Sequence, residues 1–155
     1  MKAENTVDFQ IKTGWNAISR MYNTYAAQFD MTMAIGYALL HIDKDGTSAT
    51  KIAPALGLES RSLTRMLKTL EDKKWIRREA NFKDKRVVKI FLTELGKKKR
   101  DQARQGVILF NEIVYERLGQ EKLDHLIIEK SAIPEAFVLP ALIDQKTYLS
   151  DGELI

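Results

Sequence analysis

The chain has 155 residues but no cysteine, only two histidines and only three prolines. Without cysteine it cannot form disulfides, carry out thiol chemistry, sense oxidation through a thiol or bind zinc through thiolates. Two histidines make a histidine-rich metal site unexpected. No apolar run approaches the roughly 18 residues that a transmembrane helix needs, and the N-terminus lacks the apolar core of a signal peptide. The sequence therefore predicts a cytoplasmic protein with no membrane segment, no metal and no other cofactor.

Signatures of catalysis are missing as well. The sequence contains no glycine-rich phosphate loop, no HExxH zinc motif and no carboxylate pair with an evident partner base. Its composition, with 45% hydrophobic and 30% charged residues, is that of a globular protein, and its length fits one domain. We therefore expect a single-domain binding protein rather than an enzyme.

The basic residues are concentrated in one segment of the chain. Residues 61–104 contain 16 Lys and Arg against 6 Asp and Glu, a balance of +10, whereas the remaining residues contain 9 against 15, a balance of −6. Such asymmetry is typical of proteins that bind a polyanion, above all nucleic acid. A merely solvated basic surface is the alternative, and the arrangement of these residues has to decide between the two.

Apolar spacing predicts two helices in the N-terminal part. From Ile11 to Phe29, apolar residues follow one another at steps of three and four residues, which predicts a helix over about 7–29. Residues 31–42 are apolar almost all round, which is typical of a buried helix. Asp30 is placed to cap the start of that second helix.

Two shorter helices follow, joined by a Gly-Leu-Glu turn. The first begins at a cap, Ser48 or Thr50, and ends near Leu56; Pro54 removes one of its backbone hydrogen bonds and should kink or shorten it. The second runs over about 60–73 and repeats its apolar residues at helical spacing. This pair predicts a helix-turn-helix.

The pattern then changes to that of a hairpin. Segments 75–80 and 87–93 are rich in β-branched and aromatic residues and enclose a polar tip, 81–86, which predicts two antiparallel strands. In the second segment Val88, Ile90 and Leu92 fall on one face. Thr93 is placed to cap a long helix over 94–118, and a further helix should begin near Gln120.

The predicted fold is mainly α with a small β-hairpin wing: a winged helix-turn-helix flanked by N- and C-terminal dimerisation helices. The single domain, 1–155, would hold a winged-helix DNA-binding core at about 31–100 and dimerisation helices at about 7–29 and 94–130. The flanking helices carry apolar seams that one short chain has too few other elements to cover, which favours a homodimer. Residues 131–155 follow no pattern and stay unassigned.

Several fragments, in this order and spacing, resemble one known family. They are KIA at 51–53, LGL at 56–58, SLTR at 62–65, LEDKKWIRR at 70–78, DKR at 84–86 and LTELG at 92–96. Together they look like the MarR family of bacterial transcription regulators. The motifs cover about residues 46–100, and the flanking helices extend the resemblance to about 7–128.

The resemblance implies a dimer that binds double-stranded DNA at a pseudo-palindromic operator. It further implies a repressor that is released from DNA by a small phenolic or other anionic ligand. One departure concerns the turn before the first wing strand, where Lys74 stands in place of the usual glycine and should strain the backbone.

The second helix of the pair has the residues of a DNA-reading helix. Its polar side carries Ser60, Arg61, Ser62, Thr64, Arg65 and Lys68. Arg61 and Arg65 lie four residues apart and share one face, and an arginine fork suits the O6 and N7 atoms of guanine. Lys68, one turn further, is better placed for phosphate. The alternative is a solvated face whose arginines pair with neighbouring carboxylates.

The wing tip predicts a second contact. Lys83, Lys85 and Arg86 can reach along the minor groove, where negative potential attracts cations. The resemblance implies that Asp84 holds Arg86 in position through a salt bridge. The basic run 97–100 opens a helix, and it either points to phosphate or is a solvated face.

The first two helices carry a candidate ligand pocket, formed by Trp15, Tyr22, Tyr37 and His41. A core or dimer-interface role is the alternative for such aromatic residues. Two other functions stay open beside the regulator: an architectural winged-helix protein that binds nucleic acid without base-specific readout, and a winged helix that binds only proteins. The +10 segment argues against the last.

Overall fold

The computed structural model describes residues 2–80 and 88–125. Within them a short 3-10 turn, Ala3–Asn5, precedes eight elements. In chain order these are α1 (Val7–Ala27), α2 (Met33–Leu40), β1 (Thr47–Ser48), α3 (Ala49–Ala55), α4 (Ser60–Asp72), β2 (Ile76–Ala80), β3 (Val88–Leu92) and α5 (Glu94–Leu118). Residues 120–125 are also helical, starting where the sequence predicted a final helix. The fold is mainly α with a small antiparallel sheet, as expected.

The chain forms two compact units. Residues 15–108 make up the larger one, and the described residues before 15 and after 108 belong to the other. The larger unit has a continuous apolar core whose largest fully buried side chains are Leu39, Ile42, Ile52, Leu70 and Ile90. These side chains come from α2, its C-terminal end, α3, α4 and β3, so the helix-turn-helix and the sheet share one core.

The sheet has three strands in the order β1-β3-β2, rather than the two that the sequence predicted. The additional strand β1 pairs with β3 through Thr47 opposite Ile90. Two residues are too few to show an alternating pattern, so no periodicity indicated this strand. Val88, expected on one face with Ile90 and Leu92, lies at the outer end of β3 and is 39% exposed, whereas Ile90 and Leu92 are buried.

Helix boundaries differ from the prediction at the junction of α1 and α2. Helix α1 ends at Ala27 rather than near residue 29, and α2 begins at Met33 rather than at 31. Asp30 is not the N-cap of α2: that residue is Thr32, whose hydroxyl accepts a hydrogen bond from the amide of Ile35 at 3.3 Å. The change arises because residues 28–31 are needed to end α1.

Helices α1, α3 and α4 end in the same Schellman motif, in which one residue adopts a left-handed conformation. In α4 the amide of Lys74 donates to the carbonyl of Glu71 at 2.8 Å, and the amide of Trp75 donates to that of Leu70 at 2.9 Å. The left-handed residues of the three motifs are Asp30 (φ 59°), Gly57 (φ 61°) and Lys74 (φ 58°). Only Gly57 adopts this conformation without a Cβ penalty.

The start of α5 is tied to the start of β2. As predicted, Thr93 caps α5: its hydroxyl accepts the amide of Gly96 at 3.1 Å. The same hydroxyl donates to the carbonyl of Lys74 at 2.7 Å, and the Thr93 amide donates to the carbonyl of Trp75 at 3.0 Å. A Cβ at Gly96 would overlap the Trp75 carbonyl, so only glycine fits there.

Replacing Lys74 by glycine should stabilise the protein. The left-handed conformation costs a residue with a Cβ about 1–2 kcal/mol, which exceeds the extra chain entropy that glycine loses on folding. We expect the free energy of unfolding of Lys74→Gly to rise by about 0.5–1 kcal/mol in urea denaturation. Lys74→Ala is the matched control, because it removes the same charge but keeps the Cβ. An equal gain in both variants would show that the lysine charge, not the backbone, is responsible.

Candidate DNA-binding surface and ligand cavity

Helix α4 divides cleanly into a buried and an exposed side. Leu63, Leu67 and Leu70 are buried in the core. The six polar residues that the sequence singled out are all exposed: Ser60, Arg61, Ser62, Thr64, Arg65 and Lys68. The structure therefore brings the predicted reading residues together on the solvent side of one rigid helix.

The two arginines of this face are available for a ligand. Among residues 2–80 and 88–125, neither Arg61 nor Arg65 has a carboxylate partner. Glu71, at the C-terminal end of α4, accepts Arg78 of β2, with Nε and Oε2 3.0 Å apart. The described residues therefore give no support to the alternative of an arginine face neutralised by salt bridges.

The Thr64 hydroxyl, although exposed, is hydrogen-bonded within its own helix. It donates to the carbonyl of Ser60 at 2.8 Å, one turn back along α4. A hydroxyl that already donates can still accept. The Thr64 hydroxyl thus uses its proton within α4 and keeps its capacity to accept a hydrogen bond.

The described part of the wing consists of its two strands, β2 and β3. Lys83, Asp84, Lys85 and Arg86, including the expected pair of Asp84 with Arg86, lie outside the described residues. At the base of the wing, Arg77 of β2 lies 4.7 Å over the ring of Phe91 and forms an ion pair with Glu79.

Three of the four residues of the basic run 97–100 contact other groups of the protein. Lys97 pairs with Glu94 at 2.6 Å, and this hydrogen bond and charge hold the pKa of Glu94 below its usual value. Lys99 donates to the carbonyl of Phe29 at 2.6 Å. The Arg100 side chain is 18% exposed. Of this run, Lys98 is exposed and without a hydrogen-bond or ion-pair partner in the described part of the chain.

A cavity of about 340 Å³ lies between α1, α2 and the turn of the helix-turn-helix. It is lined by Trp15, Met33, Ala34, Tyr37, His41, Ala55, Leu56 and Leu58. Three of the four candidate pocket residues thus share one site. His41 Nδ1 lies 2.8 Å from the carbonyl of Tyr37, and no lysine or arginine is among the lining residues.

Tyr22, the fourth candidate, belongs elsewhere. It is buried and packs edge-to-face on Tyr37, with ring centroids 6.0 Å apart, beside a separate cavity of only about 20 Å³. Burial, reinforced by Tyr37, raises the pKa of Tyr22 to about 12, and burial also raises the pKa of Tyr37. Both phenols are therefore neutral in the physiological range, and Tyr22 acts as a core residue.

The described segments contain neither a metal site nor a membrane-spanning helix. No group of three or more His, Asp or Glu residues there could hold a metal ion. The helices of the same segments are too short or too polar to span a bilayer.

Comparison with known proteins identifies the family. The MarR family profile matches residues 42–88. The HTH-type transcriptional regulator SarZ of Staphylococcus aureus is 33% identical over 112 residues, which are 70% of this chain and 76% of SarZ. The chain belongs to the MarR family. The matched segment of this MarR-family protein contains α3, α4 and β2, and hence all six polar residues of the reading face.

Solved structures show the same fold. MepR of S. aureus, in its complex with DNA, superposes with a TM-score of 0.77 at 22% identity, covering 84% of this chain and 98% of MepR. The transcriptional repressor CouR, bound to a 23-mer DNA duplex, superposes with a TM-score of 0.76 at 24% identity, covering 86% of this chain and 98% of CouR. Over most of its length the MarR-family chain therefore has the fold of these proteins, a winged helix with flanking helices.

The structure also reveals residues that the sequence did not single out. Asp30 and Lys73 form an ion pair at 2.6 Å, and both Lys73 and Lys99 lie over the ring of Trp75. Asp30 and Lys73 are 43 residues apart, so periodicity within a helix cannot reveal their contact. The only local sign of this cluster in the sequence is Trp75, a large aromatic residue that directly follows the lysine-rich end of a helix.

Proposed function

We propose that this MarR-family protein is a homodimeric, sequence-specific DNA-binding transcriptional regulator, and that it represses transcription until a small molecule releases it. The observation that carries the proposal is the face of α4, where Arg61 and Arg65 are exposed and without a carboxylate partner in the described residues. MepR and CouR, which share the fold, were solved on DNA. The role is that of a cytoplasmic regulator rather than an enzyme.

Exposed apolar residues support the dimer. In the smaller unit, the first turns of α1 and the last turns of α5 expose large side chains by 41–70%. They are Val7, Phe9, Ile11, Leu109, Ile113, Tyr115 and Leu118. Apolar surface of this extent usually marks an interface. A two-fold dimer would place two α4 helices one DNA turn, about 34 Å, apart.

Selection of binding sites from random double-stranded DNA tests the proposal. We expect an enriched pseudo-palindrome with half-sites about one helical turn apart. This operator should bind about 10³-fold or more tightly than a random duplex of the same length. Tight binding without an enriched sequence would instead identify an architectural protein that does not read bases.

The same selection, repeated with Arg65→Ala, assigns the reading role. Losing a bidentate contact to guanine should cost about 1–3 kcal/mol on the operator and flatten the preference at one position of each half-site. Arg20→Ala, which removes an exposed arginine of α1, is the matched control for lost charge. Equal weakening on operator and random DNA would show that Arg65 contacts phosphate only.

Disrupting the apolar surface should abolish both the dimer and operator binding. We expect the double variant Leu109→Glu/Ile113→Glu to sediment as a monomer of 17.8 kDa, whereas the wild type has twice this mass at micromolar concentration. Leu95→Glu introduces one such charge at an exposed leucine in the first turn of α5 and should stay dimeric. A wild-type mass of 17.8 kDa that persists as concentration rises would refute the dimer and the palindrome with it.

The effector belongs in the cavity of about 340 Å³, which is large enough for a small aromatic molecule. An occupant would touch Leu56 and Leu58, which flank the turn before α4, and could thereby shift the reading helix. The family resemblance implies a phenolic or anionic ligand. Because no lysine or arginine lines the cavity, an anion would lose its hydration without a permanent countercharge. We therefore favour an uncharged hydroxylated aromatic compound.

Salicylamide and salicylate form a matched pair of probes, neutral and anionic, of nearly equal size. We expect salicylamide to release the operator duplex, followed by fluorescence anisotropy, at about tenfold lower concentration than salicylate. Ala34→Leu, which fills part of the cavity, should weaken the effect of salicylamide. Stronger release by salicylate would contradict the uncharged class, and release unaffected by Ala34→Leu would place the ligand elsewhere.

A further inference from the structure

Two lysines place their ammonium groups over the ring of Trp75. The Nζ atom of Lys73, at the end of α4, lies 4.8 Å from the ring centroid, and that of Lys99, in α5, lies 5.0 Å from it. Trp75 itself is only 3% exposed. A cation over an indole face is attracted by the ring quadrupole, most strongly where water is displaced. The ring therefore holds the end of α4 close to the first turns of α5.

Both lysines also bind the turn that joins α1 to α2. Lys73 Nζ lies 2.6 Å from Asp30 Oδ2 and 3.3 Å from the Asp30 carbonyl oxygen. Lys99 Nζ donates to the carbonyl of Phe29 at 2.6 Å. Two adjacent residues of this turn, Phe29 and Asp30, thus each accept a hydrogen bond from a lysine: Lys99 of α5 and Lys73 at the end of α4, respectively. We call Asp30, Lys73, Trp75 and Lys99 the Trp75 cluster.

Backbone strain is concentrated at the same place. Asp30 and Lys74 are the non-glycine residues with positive φ in the described part of the chain; one belongs to the cluster and the other lies between two of its members. Such residues persist where surrounding contacts hold them, and strain of this kind tends to gather at functional sites. The hydrogen bond and charge of Lys73 also keep the pKa of Asp30 below its usual value, so the carboxylate is ionised at neutral pH.

We propose that Asp30, Lys73 and Lys99 are positioning residues for DNA binding: through Trp75 they fix the C-terminal end of α4 against the α1–α2 turn and do not contact DNA themselves. The inference rests on the proposed function of α4 as the reading helix. Reading a base edge requires side chains to be held within about 0.5 Å and 10–20° of the productive geometry. A helix anchored only by its leucines could rock about them, whereas the cluster fixes its far end.

The rival interpretation is that Lys73 and Lys99 add to the cationic surface and contact phosphate. The two interpretations predict opposite signs for Asp30→Asn. If the lysines only attract DNA, removal of a nearby carboxylate should tighten binding. If the cluster positions α4, the same change should weaken binding to the selected operator about three- to tenfold and leave binding to random DNA nearly unchanged. Lys73→Gln should behave like Asp30→Asn, and the double variant should be no worse than either single one.

The salt dependence of binding separates the two roles of the lysines. Each phosphate contact that is lost lowers the slope of log K against log salt by about 0.9. Lys68→Gln, on the exposed face of α4, is the control and should show this loss. Lys73→Gln and Lys99→Gln should weaken operator binding with the slope unchanged. Lys73→Arg keeps the ion pair and the cation over the ring, so its operator affinity should equal that of the wild type. Thermal melts followed by circular dichroism confirm that each variant is folded at the assay temperature.

The outcomes distinguish this proposal from the one on which it rests. A wild-type protein that binds operator and random DNA equally would refute the proposed function. If the wild type discriminates, tighter binding by Asp30→Asn, or a slope that falls in Lys73→Gln and Lys99→Gln as it does in Lys68→Gln, would overturn the positioning role alone. Unchanged operator affinity in all three cluster variants would overturn it as well.

Discussion

Several elements of the winged helix pack around the carbonyl oxygen of Trp75. It accepts the Thr93 amide at 3.0 Å, and it lies so close to Gly96 that no side chain fits there. The end of α4, the start of β2, the end of β3 and the start of α5 therefore meet at one peptide group. This junction determines where α4 ends and in which direction the chain leaves it.

Sequence periodicity was sufficient for elements that bury one side along several turns. The leucines of α4 and the cap Thr93 were predicted from spacing and residue type alone, because both signals are local. The strand β1 was not predicted, since Thr47 and Ser48 acquire their structure from pairing with β3 rather than from a pattern of their own. Asp30 was misinterpreted for a related reason: an aspartate before a helix is a common cap, but here it ends the preceding helix in a left-handed conformation.

The charge distribution predicted that the partner is a nucleic acid, but it did not predict which basic residues are free to contact it. The excess of basic residues in 61–104 indicated nucleic acid, yet several of these cations are engaged within the protein. Arg77 lies over Phe91, Arg78 pairs with Glu71, and Lys99 binds a backbone carbonyl. Counting charges along a sequence cannot separate these from Arg61 and Arg65, because each partner lies on another element of the fold. A basic segment can therefore serve both to attract DNA and to brace the scaffold that reads it.

The placement of the tryptophans gives the protein two built-in optical reporters. The chain has two tryptophans. Trp15, 49% exposed, is in the wall of the cavity beside the helix-turn-helix, and Trp75, 3% exposed and next to the end of α4, has two ammonium groups over its ring. An exposed indole emits at longer wavelength than a buried one, so the two signals differ without any label. Events at the cavity and at the end of the reading helix can thus be followed separately in the unmodified protein.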